Sequence, residues 1–217
     1  IYGDCPYQSP TDMGVNMAGN CIVDDEVCRE ASCQEIIRRY YHTLVNIARG
    51  KAKEEEAYKI ELLMNKAGIT TKDRKVVEAA LKRAEETGDT AAALELPDGR
   101  LITGKTSELL GACSALLIKA LKVLADIDRD VLLITPNVIM PIQKLKVNYL
   151  GSRNPLLHME EVLIALSASS ESSELADLAL RQLPRLRGSQ VHTSRMLSDT
   201  DEKTFQKLGV MLTSEPR

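Results

Sequence analysis

Apolar positions along this chain follow a helical period from about residue 24 to 90, and strand-like runs alternate with helical ones after it. Residues 1–23 follow neither. Ser9-Pro10-Thr11-Asp12 and Met13-Gly14-Val15-Asn16-Met17-Ala18-Gly19-Asn20 are turn formers interleaved with methionine, which predicts an irregular arm. From Asp24 onward Ile36, Ile37, Tyr40, Tyr41, Leu44 and Val45 keep a 3.6-residue stripe that Gly50 ends. A second helix is expected over 51–66, with Ile60, Leu63 and Met64 inward and Ala67-Gly68 as its cap. A third is expected over 73–86, opened by Thr70 or Thr71 and closed by Gly88. Residues 24–90 therefore read as a helical subdomain.

The period changes at Ala91. Short strands over 91–96 and 100–103 flank Pro97-Asp98-Gly99, a hairpin signal. A long apolar helix is expected over 108–124, then a buried strand over 130–134 that resumes over 138–142. Helices over 155–167 and 173–183 follow, with Asn154 and Pro155 opening the first. Strands over 190–194 and 210–213 enclose a helix capped by Ser198-Asp199. Alternation of this kind predicts an α/β/α sandwich over residues 91–217.

Three stretches carry candidate chemistry. Leu150-Gly151-Ser152-Arg153-Asn154-Pro155-Leu156-Leu157-His158 sets polar groups between apolar segments. Such a cluster is costly unless each group is partnered, so a loop beside a crevice is expected. Ser152, Arg153 and Asn154 would there meet an anion at a helix start. Gly99-Arg100-Leu101-Ile102-Thr103-Gly104-Lys105-Thr106 satisfies the letter of the phosphate-loop pattern, with Lys105 and Thr106 as anion ligands. Its inner four residues read equally as a strand feeding a helix that Thr106 or Ser107 caps. Arg38 or Arg39 could present a guanidinium beside the first stripe, and Asp12 and Asn16 could hold a ligand hydroxyl. His158 and His192 are the acid–base candidates, because only histidine titrates near neutrality without large perturbation.

Composition excludes more than it proposes. A net charge of -3 and 3% aromatic residues with no Trp give neither the electrostatics nor the stacking platform for nucleic acid. The best apolar runs are broken by Lys119 and Lys122 or by Pro136 and Pro141, so no membrane span is expected. Cys5, Cys21, Cys28, Cys33 and Cys113 form no C-x-x-C pair, which favours reduced thiols and a cytoplasmic location over zinc or disulfides. The opening at Ile1 leads to the expectation of a piece of a longer chain or a processed product.

Ser9 to Met17, Gln34 to Tyr41, Lys59 to Asn65 and Leu150 to His158 together resemble the uncharacterised bacterial domain of unknown function 1846 family. The likeness runs along essentially the whole chain and implies the C-terminal part of a longer protein. It sets a Lys where Cys33 stands and an Arg where Leu156 stands. It also implies a cytidine-deaminase-like topology for the sandwich, without the zinc chemistry. Gly111-Ala112-Cys113-Ser114-Ala115 has no Glu after its Cys, and no C-x-x-C follows. A zinc-protease label given to some relatives finds no H-E-x-x-H here.

Two functional classes remain. One is an interaction module that completes a ligand site with the rest of a longer protein or with a second copy, its ligand a phosphorylated small molecule. The other is an enzyme acting on a nucleotide or similar phosphorylated compound, with a histidine moving the proton. No cofactor is indicated, and a metal held by Asp12, Asp24 and Asp25 has only local acid density behind it.

Overall fold

In a computed structural model the described residues are 25–217, and the side chain of Asp25 lies outside the description. Asp12, Asn16 and Asp24 therefore fall outside it as well. The described residues form eight α-helices and one four-stranded sheet.

Helix α1 (Asp25–Ala48) and helix α2 (Glu54–Ala67) pair through the expected stripe. Ile37, Tyr41 and Met64 are buried together with Val77, while Ile36, Tyr40, Leu44 and Ile60 lie alongside. Gly68 closes α2 in the left-handed region at φ 68°, where a side chain would be strained. Helix α3 (Lys75–Thr87) follows a short 3₁₀ turn that Thr70 opens.

Strands β1 (Ala91–Glu95) and β2 (Leu101–Lys105) form the predicted hairpin. After helix α4 (Ala112–Ala125) come α5 (Pro136–Lys144), α6 (Met159–Ser170), α7 (Glu174–Leu180), β3 (Gln190–Thr193), α8 (Asp199–Lys207) and β4 (Met211–Ser214). The sheet order is β2-β1-β3-β4; β1 is antiparallel to both its neighbours, and β3 and β4 are parallel. Strand β1 is almost pure alanine, which lets helices approach both of its faces. Val76 and Ala80 of α3 pack on Ala93, whereas Ala92 and Leu94 join the main core with Leu116, Leu117 and Leu121 of α4.

Two expectations are corrected. Residues 130–134 are not a strand, and 138–142 lie in α5. Leu133, Ile134 and Ile139 are apolar because they pack into the α4 core, and a buried apolar run does not by itself tell strand from helix. Residues 155–158 are not helical, Leu157 lying in a bridge, so α6 starts at Met159 rather than Pro155, and Asn154 is no helix cap.

Arg74, at the entry to α3, ties the helices to the sheet. It is 1% exposed. Its guanidinium donates to Thr213 Oγ1 at 3.0 Å, Gln190 Oε1 at 2.5 Å, Gln34 Oε1 at 3.4 Å, and the carbonyls of Val191 at 3.1 Å and Met211 at 2.7 Å. Burial, with nearby Arg38 adding, draws its pKa down to about 10, still well above neutrality.

Candidate functional site

The segment before α4 and the segment before α6 run side by side. Leu110 and Leu157 make an isolated parallel bridge, with Leu157 N–H donating to Leu109 O at 3.1 Å and Gly111 N–H to Leu157 O at 3.3 Å. Ser114 Oγ also donates to Leu157 O, at 2.8 Å, in the buried layer beneath. The bridge sets the openings of α4 and α6 next to one another over a hollow of about 240 Å³. Thr90, Thr106, Gly111 to Ser114, Asn154, Leu156 to His158, Thr193, Arg195 to Ser198 and Asp201 line it.

The α4 opening has Gly111 at its cap and no side chain bonded there. Its first amides, at the positive end of the helix dipole, thus face the hollow without a built-in acceptor. The α6 opening is furnished differently. His158 occupies the cap position, and its N–H donates to Glu161 Oε2 at 2.8 Å. Buried Lys146 donates to that same Oε2 at 2.8 Å and to Leu156 O at 2.7 Å, which pins the approach from both sides.

Asp201 reaches this point from α8. Its Oδ2 lies 3.0 Å from His158 Nδ1 and accepts from Ser198 Oγ at 3.1 Å, while Oδ1 accepts from Met159 N–H at 3.0 Å. With Nδ1–H given to the carboxylate, Nε2 is left as the lone-pair nitrogen. No partner for Nε2 occurs among the described residues. The His158 side chain is 36% exposed, open enough to meet a ligand. Arg195, at the rim, is exposed and forms no ion pair among the described residues.

Cys113 also lines the hollow, but burial, with the Asp201 charge adding, pushes its thiol well above the usual range. It is a poor nucleophile there. Iodoacetamide is expected to label the partly exposed Cys28 and Cys33 in the native protein and Cys113 only after denaturation, which peptide mass spectrometry reads directly.

Of the sequence candidates, Thr106, Asn154 and His158 meet in this hollow. The others do not. Lys105 pairs with Asp89 at 3.0 Å, and β2 keeps Leu101 to Lys105 in a regular ladder, so the phosphate-loop spelling has none of the curled backbone such a loop needs. Thr106 bonds back to Thr90 O, and α4 begins six residues later, so neither Thr106 nor Ser107 caps it. Ser152 and Asn154 close a local turn on one another, and Arg153 projects into solvent. Arg39 pairs with Glu35 at 3.1 Å and is exposed. Arg38 bonds Glu35 and the Met211 sulfur and lines a separate hollow of about 480 Å³. Glu30, Asp73 and Glu95 outnumber Arg38 and Lys75 on those walls, and both cations are paired with carboxylates, which makes that larger space a poor anion site.

His192 is fully buried on β3, away from the hollow. Its Nδ1 lies 2.9 Å from Thr213 Oγ1, and the Tyr41 ring centroid is 4.8 Å away. Nε2 is 3.3 Å from Glu215 Oε1, an electrostatic approach whose angle does not make a hydrogen bond. Burial holds the His192 pKa below the usual 6.5, outweighing Glu215. The unfolded chain then takes up protons below 6.5 that the native state resists, so this stability is full above 6.5 and is lost as pH falls toward the native value. Glu215, held below 4.5 first by its contact with His192, loses its contribution at still lower pH. Urea midpoints are expected to drop from pH 7.5 to 5, and His192→Gln to flatten that slope. A slope unchanged in the variant would place the acid sensitivity elsewhere.

Asp201 was not read from the sequence. It sits third in α8 behind its Ser198 cap, a position where acid is ordinary, and its partner is 43 residues away. Among the described residues no group of three or more His, Cys, Asp or Glu is arranged to hold a metal, and no helix is long and apolar enough to cross a membrane.

Comparison with known proteins adds the family. Residues 72–217 match the model described as "Domain of unknown function DUF1846, C-terminal", and residues 1–68 its N-terminal counterpart. The chain belongs to the DUF1846 family. Its relatives include UPF0371 protein cu0538 of Corynebacterium urealyticum, 55% identical over 217 residues, and a UPF0371 protein of Corynebacterium glutamicum at 54%. A third, str1377 of Streptococcus thermophilus, is 52% identical over 216 residues. Each match covers 100% of this chain and 44% of the relative, so the chain spans under half the length of these DUF1846 proteins. The C-terminal model takes in α3 together with the whole sheet. Leu156, where the resemblance sets an Arg, lines the hollow.

Proposed function

We propose that the hollow between α4 and α6 binds a phosphorylated small molecule, with the α4 opening and Arg195 as its anion ligands. The observation that carries this reading is the bridge at Leu110 and Leu157, which turns two helix openings toward one space. The chain would act within a longer protein, its ligand site completed there or by a second copy. Exposed Leu132, Met140, Tyr149, Leu150 and Ile164 favour such a covering partner. A compact monomer at high concentration in sedimentation velocity would count against a second copy. We also read the sheet as the deaminase-like topology and the protein as cytoplasmic. The strand order and the reversed β1 support the first, and the free thiols support the second.

The enzyme reading has one specific observation in its favour, the 3.0 Å contact that orients His158 and frees its Nε2. His158 would then give or take the proton at the bound phosphate ester. The test is isothermal titration against a panel of nucleotides and sugar phosphates. Arg195→Gln is expected to weaken binding about tenfold, the worth of one charge-assisted contact. His158→Asn should spare binding and remove turnover, if turnover is found. Binding indifferent to Arg195 overturns the assignment of the hollow.

A further inference from the structure

A second anion site lies on the far edge of the sheet. Strand β2 is an edge strand, and beside it α3, α4 and the turn after α4 enclose a groove of about 470 Å³. Arg83, Lys119, Lys122 and Arg129 line it against one carboxylate, Asp130, in a chain whose overall charge is -3. Ile102 and Val123 give it an apolar wall, which keeps water from screening those charges fully.

The donors here are under-used. Arg83 donates through Nη1 to Glu86 Oε2 at 3.3 Å, while its Nε is shut away from solvent with no hydrogen-bond partner, one of three such side-chain atoms among the described residues. Lys119 Nζ donates to Thr103 O at 3.0 Å and Lys122 Nζ to Arg129 O at 2.7 Å, which leaves each ammonium two further N–H groups. Lys119 has no carboxylate partner among the described residues, and burial followed by the nearby Arg83 and Arg129 charges holds its pKa below the usual value. Shielding of the sheet edge explains why one lysine bonds Thr103 O. It does not explain four cations gathered along one groove.

We propose that this groove binds a small anion carrying two or more phosphate groups, inorganic pyrophosphate being the simplest. Such a ligand supplies several acceptor oxygens in one compact body and matches the positive charge left over once Asp130 and Glu86 are set against the four cations. Arg83 meets it through its outer Nη groups, and the two lysines close over it from α4.

The probe is pyrophosphate, titrated calorimetrically into the chain at low salt, with sulfate as comparison. Saturable binding that falls as salt rises is expected. Arg83→Gln with Lys119→Gln should weaken it about a hundredfold or more, each lost charge-assisted bond accounting for about tenfold. Arg129→Glu serves as the second variant, because that side chain is 93% exposed and pairs only with its exposed neighbour Asp130 at 3.6 Å among the described residues; it should weaken binding in the same direction. Arg195→Gln should leave pyrophosphate at this groove untouched, which separates the result from that at the α4 hollow. Absent binding, sulfate binding as tightly, or affinity indifferent to Arg83, Lys119 and Arg129 overturns the proposal.

Discussion

Arg74→Met should lower stability by about 3–5 kcal/mol, the cost of leaving several buried acceptors unpaired at about 1–3 kcal/mol each. The guanidinium has five N–H donors, and five acceptors on α1, β3 and β4 receive them. None is a carboxylate, so removing the arginine strands no opposing charge. It leaves the carbonyls of Val191 and Met211 and the Thr213 hydroxyl with lost partners in a dry layer. For a chain of this length the loss corresponds to a melting temperature lower by about 10 °C or more. Arg74→Lys keeps the charge but offers three donors, and should recover only part of it. Urea denaturation followed by circular dichroism decides the matter. A variant within about 0.5 kcal/mol of the parent would mean that these bonds are replaced by water without loss.

Gly104→Ala should cost about 3 kcal/mol, the upper end for inserting an atom into a packed interior. A Cβ at this position would lie 2.6 Å from Leu116 N and 2.7 Å from its Cα. The obstacle is the backbone of α4, so no rotamer change relieves it and the helix must back away from β2. That displacement reaches Gly111 to Ser114 at the start of the same helix, so ligand affinity at the hollow should fall together with the urea midpoint. Stability lost with affinity intact would show that α4 tilts about its own beginning.

Much of the architecture was legible in the sequence, because the elements that carry a single period or a punctuating glycine betray themselves. The hairpin at Pro97-Asp98-Gly99, the left-handed caps at Gly68 and Gly88, and the Ser198 cap stand where local chemistry puts them. Residues 130–142 escaped because their apolar side chains answer to α4, not to a local repeat. Asn154-Pro155 spells a helix start, but the tertiary bridge at Leu157 keeps that residue out of the helix and delays its start to Met159. His158, Thr106 and Asn154 were candidates by residue type. Their convergence, and the presence of Asp201 and Arg195 beside them, depends on strand order and on contacts spanning 43 residues or more. Arg74 was invisible for the same reason. An arginine ahead of a helix looks like any solvated cation until β4 closes over it.

The Leu110–Leu157 bridge makes the hollow's two walls mechanically one piece. Widening the space requires parting the Gly111 and Leu157 amides from their carbonyls, so the receptor is pre-shaped and pays little ordering entropy when occupied. A saturating ligand should therefore slow hydrogen–deuterium exchange at those two amides while leaving the exposed end of α2 unaltered.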